Sequence, residues 1–272
     1  MTRGVDMRCP ICGGDAWRPV LNGPGFRIDL CGSGCIGRTI PQPEFDELCS
    51  LPLDGQPPES ATPDDPGSGH FRLARQLLDV IGEFQPAGRL LDVGCGLGHL
   101  LKSALDRGYD PVGLDASASA AEFARAAFGI EPIVGFFPGH EFKPSSFDIV
   151  VMNHMLEHLS ELGLALSEAK RILRPDGLLA IAAGNFDSLM RKIKGSGWQG
   201  LQPSQHVWQL SVRSIWMLLR RFEFAPVAAR CDSLDYKRGT GSLPRWLALR
   251  MVLAAARVMS LGDNVIVLAR KR

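Results

Sequence analysis

Short runs of apolar residues recur at intervals beyond residue 88. Several are almost continuous in Val, Ile, Leu and Phe, which is typical of strands buried on both faces of a parallel sheet. Glycine, proline or charged residues bound most of these runs. We predict seven strands at these positions: 89–93, 112–115, 133–135, 147–153, 178–184, 224–229 and 263–269.

Apolar residues with helical spacing separate most of these runs. In the first such stretch, for example, Leu77, Leu78 and Ile81 fall on one face of a helix. Strands that alternate with helices predict an α/β fold with a doubly wound parallel sheet. The predicted helices lie at 70–84, 100–105, 118–128, 162–173, 211–221 and 243–261.

The first predicted strand runs directly into a turn with three alternating glycines, Gly94, Gly96 and Gly98. A strand, a glycine-rich turn and a helix form the first half of a βαβ nucleotide-binding unit. Any Cβ in such a turn would keep the backbone away from a ligand lying across it. Glycine-rich turns also occur for purely steric reasons, so this pattern alone does not establish a ligand.

An acidic residue at the end of the second strand strengthens the indication of a nucleotide site. Asp115 follows Val112-Gly113-Leu114 and lies 17 residues after Gly98. A carboxylate at the tip of the adjacent strand accepts hydrogen bonds from both hydroxyls of a ribose. A dinucleotide fingerprint would need glycine at position 99, where this chain has His99.

Residues 90–98, Leu-Leu-Asp-Val-Gly-Cys-Gly-Leu-Gly, resemble the first motif of class I S-adenosylmethionine-dependent methyltransferases. The resemblance covers roughly residues 70–272 and implies a seven-stranded Rossmann-like sheet with S-adenosylmethionine as cofactor. It implies that the three glycines admit the methionine part and that Asp92 orients its amino end, directly or through water. Asp115, with Ala116 beside it, would hold the ribose, and Cys95 is a small packing residue within the turn.

The resemblance also suggests where the adenine binds. Many members of the family place an acidic residue soon after the third strand, where it receives the adenine amino group. Here the tract Gly-Phe-Phe-Pro-Gly-His at 135–140 contains no acid before Glu141. We therefore predict that backbone groups and packing against Phe136 recognise the adenine.

Residues 153–159, Asn-His-Met-Leu-Glu-His-Leu, directly follow a central strand and resemble the fourth motif of the same family. Ligands bind at this carboxyl end of the strands in open α/β sheets, so Asn153 and His154 are predicted to line the cofactor site. Glu157 and His158 either act as a general base or line the pocket. The lining role is favoured because the spacing shows no substrate proton within reach.

The segment 185–210 is dense in aromatic and amide side chains but lacks helical or strand periodicity. A loop of this length inside a compact domain is usually functional. It resembles the acceptor-side loop of sugar, polysaccharide and small-metabolite methyltransferases, which often carry Pro-x-x-His, as Pro203 to His206 do here. His206 is therefore a candidate catalytic base, and an equally weighted alternative is that it caps the helix at 211–221.

Four cysteines near the N-terminus form two closely spaced pairs. Two residues separate Cys9 from Cys12. After 18 further residues, Cys31 and Cys35 form a second pair in a glycine-rich stretch. Four thiolates from two turns complete a tetrahedral zinc site with no open position. The CxxxC spacing of the second pair departs from the usual CxxC of zinc ribbons. We predict a structural zinc, because the segment is too short to build its own core.

The predicted organisation is a zinc-ribbon-like segment at 1–49, a linker at 50–69 and a methyltransferase domain at 70–272. The linker is rich in Pro, Asp, Ser and Gly and has no apolar periodicity. Within the large domain, 185–210 is the predicted acceptor-side loop and 243–261 an inserted apolar helix. That helix could lie on a membrane surface, but packing on its own domain or on a partner subunit is favoured.

Charge is distributed unevenly along the chain. Residues 1–69 carry 5 basic and 10 acidic side chains, whereas residues 185–272 carry 15 basic and 5 acidic ones. The basic last third is either an ordinary solvated surface, which is the commoner case, or a surface that attracts an anionic acceptor. An acidic zinc segment argues against nucleic acid as the partner.

Three functional hypotheses follow from these motifs. The favoured one is a methyltransferase for a small-molecule or sugar-type acceptor. The others are an RNA methyltransferase and a catalytically silent, cofactor-binding interaction protein. We expect a cytoplasmic protein, because the N-terminus lacks a signal-peptide pattern and the best membrane candidate, 246–261, is short and broken by Arg250 and Arg257. The acceptor, the atom methylated and the oligomeric state stay open.

Overall fold

The computed structural model describes residues 8–43, 68–232, 251 and 259–272. Most of the predicted linker at 50–69 and most of the predicted helix at 243–261 lie outside these residues. The strands are β1 (Trp17–Gly23), β2 (Phe26–Cys31), β3 (Gly37–Ile40), β4 (Arg89–Val93), β5 (Asp110–Asp115), β6 (Ile133–Val134), β7 (Phe147–Asn153), β8 (Leu173–Gly184), β9 (Trp208–Gln209), β10 (Phe224–Asp232) and β11 (Asn264–Lys271).

Seven of these strands form one sheet in the order β10-β11-β8-β7-β4-β5-β6. The five strands from β8 to β6 are parallel, and β11 and β10 complete the sheet in antiparallel pairing. The predicted α/β fold with a doubly wound seven-stranded Rossmann-like sheet is therefore confirmed. Several boundaries differ by one or two residues, and the largest differences are that β10 continues to Asp232 and that β8 begins at Leu173, where a helix was expected to end.

Helices cover the sheet, and their ends follow local sequence signals. Ser68 caps the first helix by accepting a hydrogen bond from the amide of Phe71, and Ser117 caps the third as predicted, accepting from Ala120. Basic residues in the last turn of the fourth helix suit its negative end. The helices are α1 (Gly69–Gly82), α2 (His99–Leu105), α3 (Ala118–Phe128), α4 (Leu162–Ile172), α5 (Leu189–Lys194) and α6 (Val212–Arg221).

The register of the central strands fixes which residues meet at their carboxyl ends. Asp92 in β4 pairs with Gly113 in β5 on one side and with Val151 in β7 on the other. The ends of β4, β5 and β7 therefore lie side by side at one edge of the sheet. Strands in a sheet are about 4.8 Å apart, so side chains leaving these ends share one small volume.

A second, antiparallel sheet has the order β1-β2-β3-β9. Its first three strands belong to the N-terminal cysteine segment, but β9 comes from the predicted acceptor-side loop, with Arg38 opposite Trp208 and Gly37 opposite Gln209. The expectation that 185–210 lacks regular structure is wrong. That segment contains α5, two short 3-10 turns and β9. Its strand was missed because a two-residue strand has no readable periodicity and depends on a partner far away in sequence.

The cysteine segment, which we call the ribbon (residues 8–40), packs into the same apolar core as the large sheet. Cys9, Cys31 and Ile36 are buried in the cluster that contains Phe147 of β7 and Leu218 of α6. A separate cluster joins the ribbon to the acceptor-side segment; its buried members are Ile28, Phe186, Met190, Trp198 and Leu201. The ribbon therefore gains its apolar burial from the rest of the chain.

None of the helices within the described ranges is long and apolar enough to cross a lipid bilayer.

Replacing Trp208 with Ala tests how much the contact between the two sheets stabilises the protein. Trp208 is buried, and its indole Nε1 donates to the carbonyl of Leu159 at 2.8 Å. We expect the free energy of unfolding in urea to fall by about 3–5 kcal/mol. The control is Trp216→Ala on the half-buried side of α6, with an expected loss of about 1 kcal/mol. Equal losses in both variants would contradict a specific role of Trp208.

Candidate active site

In the turn between β4 and α2 the backbone packs so closely against neighbouring residues that two positions have little room for a side chain. Gly94 has a φ of 73° and Gly98 a φ of 84°, both in the left-handed region that favours glycine. A Cβ on Gly94 would lie 2.9 Å from the Sδ of Met155, and one on Gly98 would lie 2.9 Å from the Cβ of Ala124. Both positions therefore require glycine for conformation and for space.

Gly96, the middle glycine, faces open space. Its φ is 50°, and no described atom lies within 4 Å of the place where its Cβ would be. A ligand can therefore lie directly against the backbone here. The amide of Gly96 donates to Oδ2 of Asp115 at 2.8 Å, which ties the turn to the end of β5.

Asp115 is held at the tip of β5 with its carboxylate largely shielded from water. Oδ2 accepts from Gly96, and Oδ1 accepts from the amide of Ser117 at 2.8 Å. These bonds fix the orientation of the carboxylate, and each oxygen keeps a further lone pair for an outside donor. The arrangement suits two neighbouring hydroxyls, as the sequence predicted for a ribose, and Ala116 follows directly beside it.

Asp92 lies on the strand next to that of Asp115, but the surroundings of its carboxyl group are different. Its side chain is buried, and its Oδ1 has no hydrogen-bond partner among the residues that the structure describes. Burial, and to a smaller extent the charge of Asp115, raises the pKa of Asp92 to about 8. A buried carboxyl oxygen without a partner is rare in folded proteins, so it indicates a missing donor. A cationic amino group fits this requirement.

Cys95 lies inside the turn, where its Sγ would be 2.8 Å from a Cβ on Gly113 of β5. Burial raises the pKa of the Cys95 thiol above its usual value, with smaller contributions from the charges of Asp92 and Asp115. The thiol therefore stays protonated at neutral pH and is a poor nucleophile. This environment supports the interpretation of Cys95 as a small packing residue.

The predicted adenine side of the site lies beside Asp115. The amide of Gly135 donates to the carbonyl of Asp115 at 2.9 Å, and Phe136 follows with half of its surface exposed. Sequence reasoning missed an aromatic group on the other side of the glycine turn. The ring of His99 lies 5.0 Å from His70 and 4.9 Å from Phe71, between centroids. The feature of the sequence that could have indicated this group is the pair His70-Phe71 at the start of α1.

The end of β7 carries a carboxylate and histidines. His154 leaves the strand with an exposed side chain, and its Nδ1 lies 3.1 Å from Oε1 of Glu157. Glu157 is only 1% exposed, and its second oxygen, Oε2, has no partner in the described part of the chain. Burial raises the pKa of Glu157, but His154 and the neighbouring histidines outweigh burial and hold it well below its usual range.

His206 reaches this group from the acceptor-side segment. Its ring lies edge-on to His158 with centroids 4.9 Å apart, and the amide of Val207 donates to the carbonyl of Glu157 at 2.9 Å. Burial lowers the pKa of His206 to about 4 against the attraction of Glu157, so its ring is neutral at pH 7. The alternative that His206 caps α6 is wrong, because Ser211 and Ser214 form that cap.

The site residues predicted from the sequence thus fall into neighbouring groups. The glycine turn, Asp92 and Asp115 form one group at the ends of β4 and β5, with Phe136 beside it. Glu157, His158 and His206 form the other at the end of β7, together with His154. Asn153 joins them, because the pairing of β4 with β7 places it beside Gly94. Met155 connects the groups directly through its contact with the glycine turn.

The four N-terminal cysteines converge as the sequence predicted. Their Sγ atoms all lie within 4.8 Å of one another, and those of Cys12 and Cys31 are 3.4 Å apart. Sulfur atoms around a tetrahedral zinc lie about 3.8 Å apart, given Zn–S bonds of about 2.3 Å. Cys9, Cys31 and Cys35 are buried, and Cys12 is exposed. The donor set and its dimensions therefore fit a closed zinc site.

Comparisons with known proteins agree with this geometry. The chain is 31% identical over 134 residues to malonyl-[acyl-carrier protein] O-methyltransferase of Yersinia pestis, covering 48% of each chain. It is 32% identical over 139 residues to demethylmenaquinone methyltransferase of Renibacterium salmoninarum, covering 50% of this chain and 58% of that one. The matched part of the chain therefore spans about half the length of these curated relatives.

Solved structures show the same fold. A Burkholderia thailandensis 1,6-didemethyltoxoflavin-N1-methyltransferase, with 1,6-didemethyltoxoflavin and S-adenosylhomocysteine bound, superposes with a TM-score of 0.56 at 16% identity. That match covers 93% of this chain and 99% of the other. A methyltransferase from Archaeoglobus fulgidus gives a TM-score of 0.53 at 19% identity, covering 75% and 96%.

A family model for the methyltransferase domain matches residues 68–229, which contain the glycine turn, both aspartates and the histidine group. This match includes more than half of the chain, and it covers β4 to β8, the strands whose ends form the site. The chain belongs to the methyltransferase domain family.

Proposed function

We propose that this protein transfers the methyl group of S-adenosylmethionine to a small-molecule or sugar-type acceptor. The observation that carries the proposal is the buried Oδ1 of Asp92, which has no hydrogen-bond partner in the described part of the chain and lies on the strand that leads into the open turn at Gly96. A cationic amino group next to Asp92 would supply the missing donor and stabilise the ionised carboxylate. The methionine part of the cofactor carries such a group.

On this proposal each part of the cofactor has its own residues. Gly94, Gly96 and Gly98 let the backbone approach the methionine part, Asp92 holds its amino group and Asp115 with Ala116 holds the ribose. Phe136 packs against the adenine, and Asn153 and His154 line the site from β7. The bound cofactor supplies a methyl group already activated by a positively charged sulfur. The protein's main task is then to align an acceptor atom with that methyl group.

The histidine group supports an acceptor that must lose a proton. His206 is neutral at pH 7, and a neutral imidazole accepts a proton. Glu157 is buried too deeply to touch an acceptor. We therefore propose that it affects catalysis indirectly, through the histidines around it. His158 donates toward the carbonyl of Gln205 at 3.1 Å when its Nδ1 carries the proton, which orients its ring.

A cavity near the end of β8 supports an acceptor with an apolar body and an anionic group. Its volume is about 650 Å³, and Asn185, at the carboxyl end of the strand, lines it. Trp216 and Leu261 contribute apolar surface. Lys192, Arg213 and Arg220 line the same cavity together with one acid, Asp187, so the net charge of the lining is positive and favours an anionic group. The relatives named for malonyl-[acyl-carrier protein] and demethylmenaquinone make a metabolite-type acceptor a reasonable class.

We also propose that the ribbon holds one structural zinc ion on Cys9, Cys12, Cys31 and Cys35. Four sulfur ligands leave no open position for substrate, and soft thiolates favour zinc over harder cations. The ribbon has only three short strands of its own, so metal binding would add to its stability. Pairing of β3 with β9 would pass that support to the segment that carries His206.

Replacing Asp115 with Asn should weaken binding of S-adenosylhomocysteine by about 10²–10³-fold. The substitution removes the charge from hydrogen bonds to the ribose, each worth about 1.5–3 kcal/mol. Calorimetry measures the change. The control is Asp110→Asn at the other end of the same strand, where the side chain is 74% exposed, and its affinity should match that of the wild type. Unchanged affinity in Asp115→Asn would remove Asp115 from the site.

Binding of S-adenosylhomocysteine should release about one proton per chain at pH 7, because Asp92 is protonated in the free protein and ionised beside the cofactor's ammonium group. Since ionisation is required for binding, affinity should rise by up to about tenfold between pH 6 and pH 7 and level off above pH 8. Calorimetry in buffers of different ionisation enthalpy counts the protons.

Asp92→Asn is the control for this proton release, because the amide cannot titrate. Its binding should lose both the released proton and the rise in affinity with pH. Asp115 and Cys95 are the other titratable groups close to Asp92 and remain in this variant. If the wild type binds equally well at pH 6 and pH 7.5, the proposed contact between Asp92 and the amino group is wrong.

Metal analysis of the purified protein should find about one zinc per chain. Cys35→Ser should lose the metal and lower the unfolding temperature, because Cys35 is buried in the cluster of four. Cys231→Ser, in β10 and outside the cluster, should keep the metal and serves as the matched control. Absence of zinc in the wild type, or equal zinc in both variants, would end the zinc proposal.

A further inference from the structure

His154 directly follows β7, at the edge of the sheet where β4 runs into the glycine turn. Val93 of β4 pairs with Met152 of β7, so the next residues, Gly94 and Asn153, are neighbours and His154 follows immediately. Met155, the residue after it, packs against the space above Gly94. His154 therefore leaves the strand beside the part of the turn assigned to the methionine portion of the cofactor.

The backbone of His154 is held in an unusual conformation. Its φ is 51°, in the left-handed region that non-glycine residues seldom adopt, while its amide donates to the carbonyl of Ala182 in β8 at 2.8 Å. Strain of this kind persists only where the surroundings determine it, and it is concentrated at functional sites. Here it turns the side chain out of the strand, where 41% of its surface is exposed.

Glu157 orients the His154 ring. Its Oε1 lies 3.1 Å from Nδ1, and an ionised carboxylate can only accept, so Nδ1 carries a proton. In the neutral ring Nε2 is then the unprotonated nitrogen, with a lone pair available to an acceptor's proton. A buried carboxylate that fixes the tautomer and orientation of an exposed imidazole is a recurrent device for general-base histidines.

The charges around this pair favour the protonated ring once it forms. Desolvation of the covered part of the His154 ring favours its neutral form, but the hydrogen bond and charge of Glu157 outweigh this effect and raise the pKa of His154 above its usual value. His158 and His206 also lie close to Glu157, and each lowers its pKa when protonated. These two rings differ from His154, because His206 is buried and His158 is bound to the carbonyl of Gln205.

We propose that His154 is the general base of the methyl transfer and that Glu157 is its positioning residue. The acceptor's O–H or N–H gives its proton to Nε2 of His154, and the oxygen or nitrogen forms a bond to the methyl carbon. The methyl–sulfur bond breaks, and its electron pair stays on the sulfur, which becomes neutral. This inference rests on the proposed function and specifies an acceptor that must be deprotonated, such as a hydroxyl compound.

The protonation of His154 in two cofactor complexes tests this assignment without a known acceptor. Full-length protein with ¹³C-labelled histidine is titrated by NMR with S-adenosylhomocysteine bound and then with S-adenosylmethionine bound. The two ligands differ by one methyl group and one positive charge. If Nε2 faces the methyl group, that charge should lower the pKa of His154 by about one unit in the second complex.

Two variants and an internal control complete the experiment. His154→Gln identifies the resonance, and Glu157→Gln should lower the pKa of His154 in both complexes because the orienting charge is gone. His140, near the predicted adenine side, is the internal control and should titrate alike with both ligands. Circular dichroism checks that each variant is folded, and calorimetry measures its affinity for S-adenosylhomocysteine so that the titrations are made at saturation.

The outcomes separate the inference from the proposed function. Equal pKa values for His154 in the two complexes, or a shift at His158 or His206 instead, would overturn His154 as the base while cofactor binding stands. No effect of Glu157→Gln on His154 would overturn the positioning role of Glu157. Failure of the wild type to bind either ligand would overturn the proposed function itself.

Discussion

Asp92 in β4 and Asp115 at the end of β5 lie on neighbouring parallel strands, and the cofactor side of the site depends on the different surroundings of these two carboxyl groups. Two backbone amides donate to the carboxylate of Asp115, one to each oxygen. Asp92 lies deeper: its Oδ1 has no hydrogen-bond partner among the residues that the structure describes, and burial raises its pKa to about 8. A positively charged ligand group beside Asp92 would stabilise its ionised form, so the surroundings of Asp92 favour the binding of a cation.

The acceptor side solves the opposite electrostatic problem. Glu157 is buried as deeply as Asp92, and burial raises its pKa, but the hydrogen bond and charge of His154 outweigh burial and hold the pKa well below its usual range. One end of the sheet therefore contains a buried acid that is neutral and a buried acid that is charged, separated by the width of β4 and β7. This difference suits a reaction in which the cofactor's positive charge lies near Asp92 and the acceptor's proton leaves near Glu157.

Much of this arrangement could be predicted from the sequence because it is local. The order Gly94, Gly96, Gly98 and then Asp115 is readable since a turn and a strand end set the geometry over a few residues. The strands β4 to β8 could be placed from apolar runs for the same reason. The four cysteines were also readable, because metal ligands have characteristic spacing.

What the sequence could not provide depends on contacts between distant segments. Strand β9 is too short for periodicity and exists through its pairing with β3. The proposed roles of the histidines differ because their exposure differs: His206 is buried and His154 is exposed, although both carry the same imidazole group. Glu157 could be named as an acid near the site, but its orientation toward His154 requires the turn that follows β7.

The pairing of β3 with β9 joins residues about 170 positions apart, as the bond between Thr39 and Gln209 shows. During synthesis at about 5–20 residues per second, β3 therefore emerges roughly ten seconds or more before its last partner strand. All four cysteines have been made by residue 35, and an ion bound there would hold the young hairpin closed during that interval. An uncovered strand edge is a template for unwanted pairing with other chains. If the four cysteines bind zinc as proposed, they precede β3 along the chain, and their order of synthesis would protect the nascent polypeptide from aggregation.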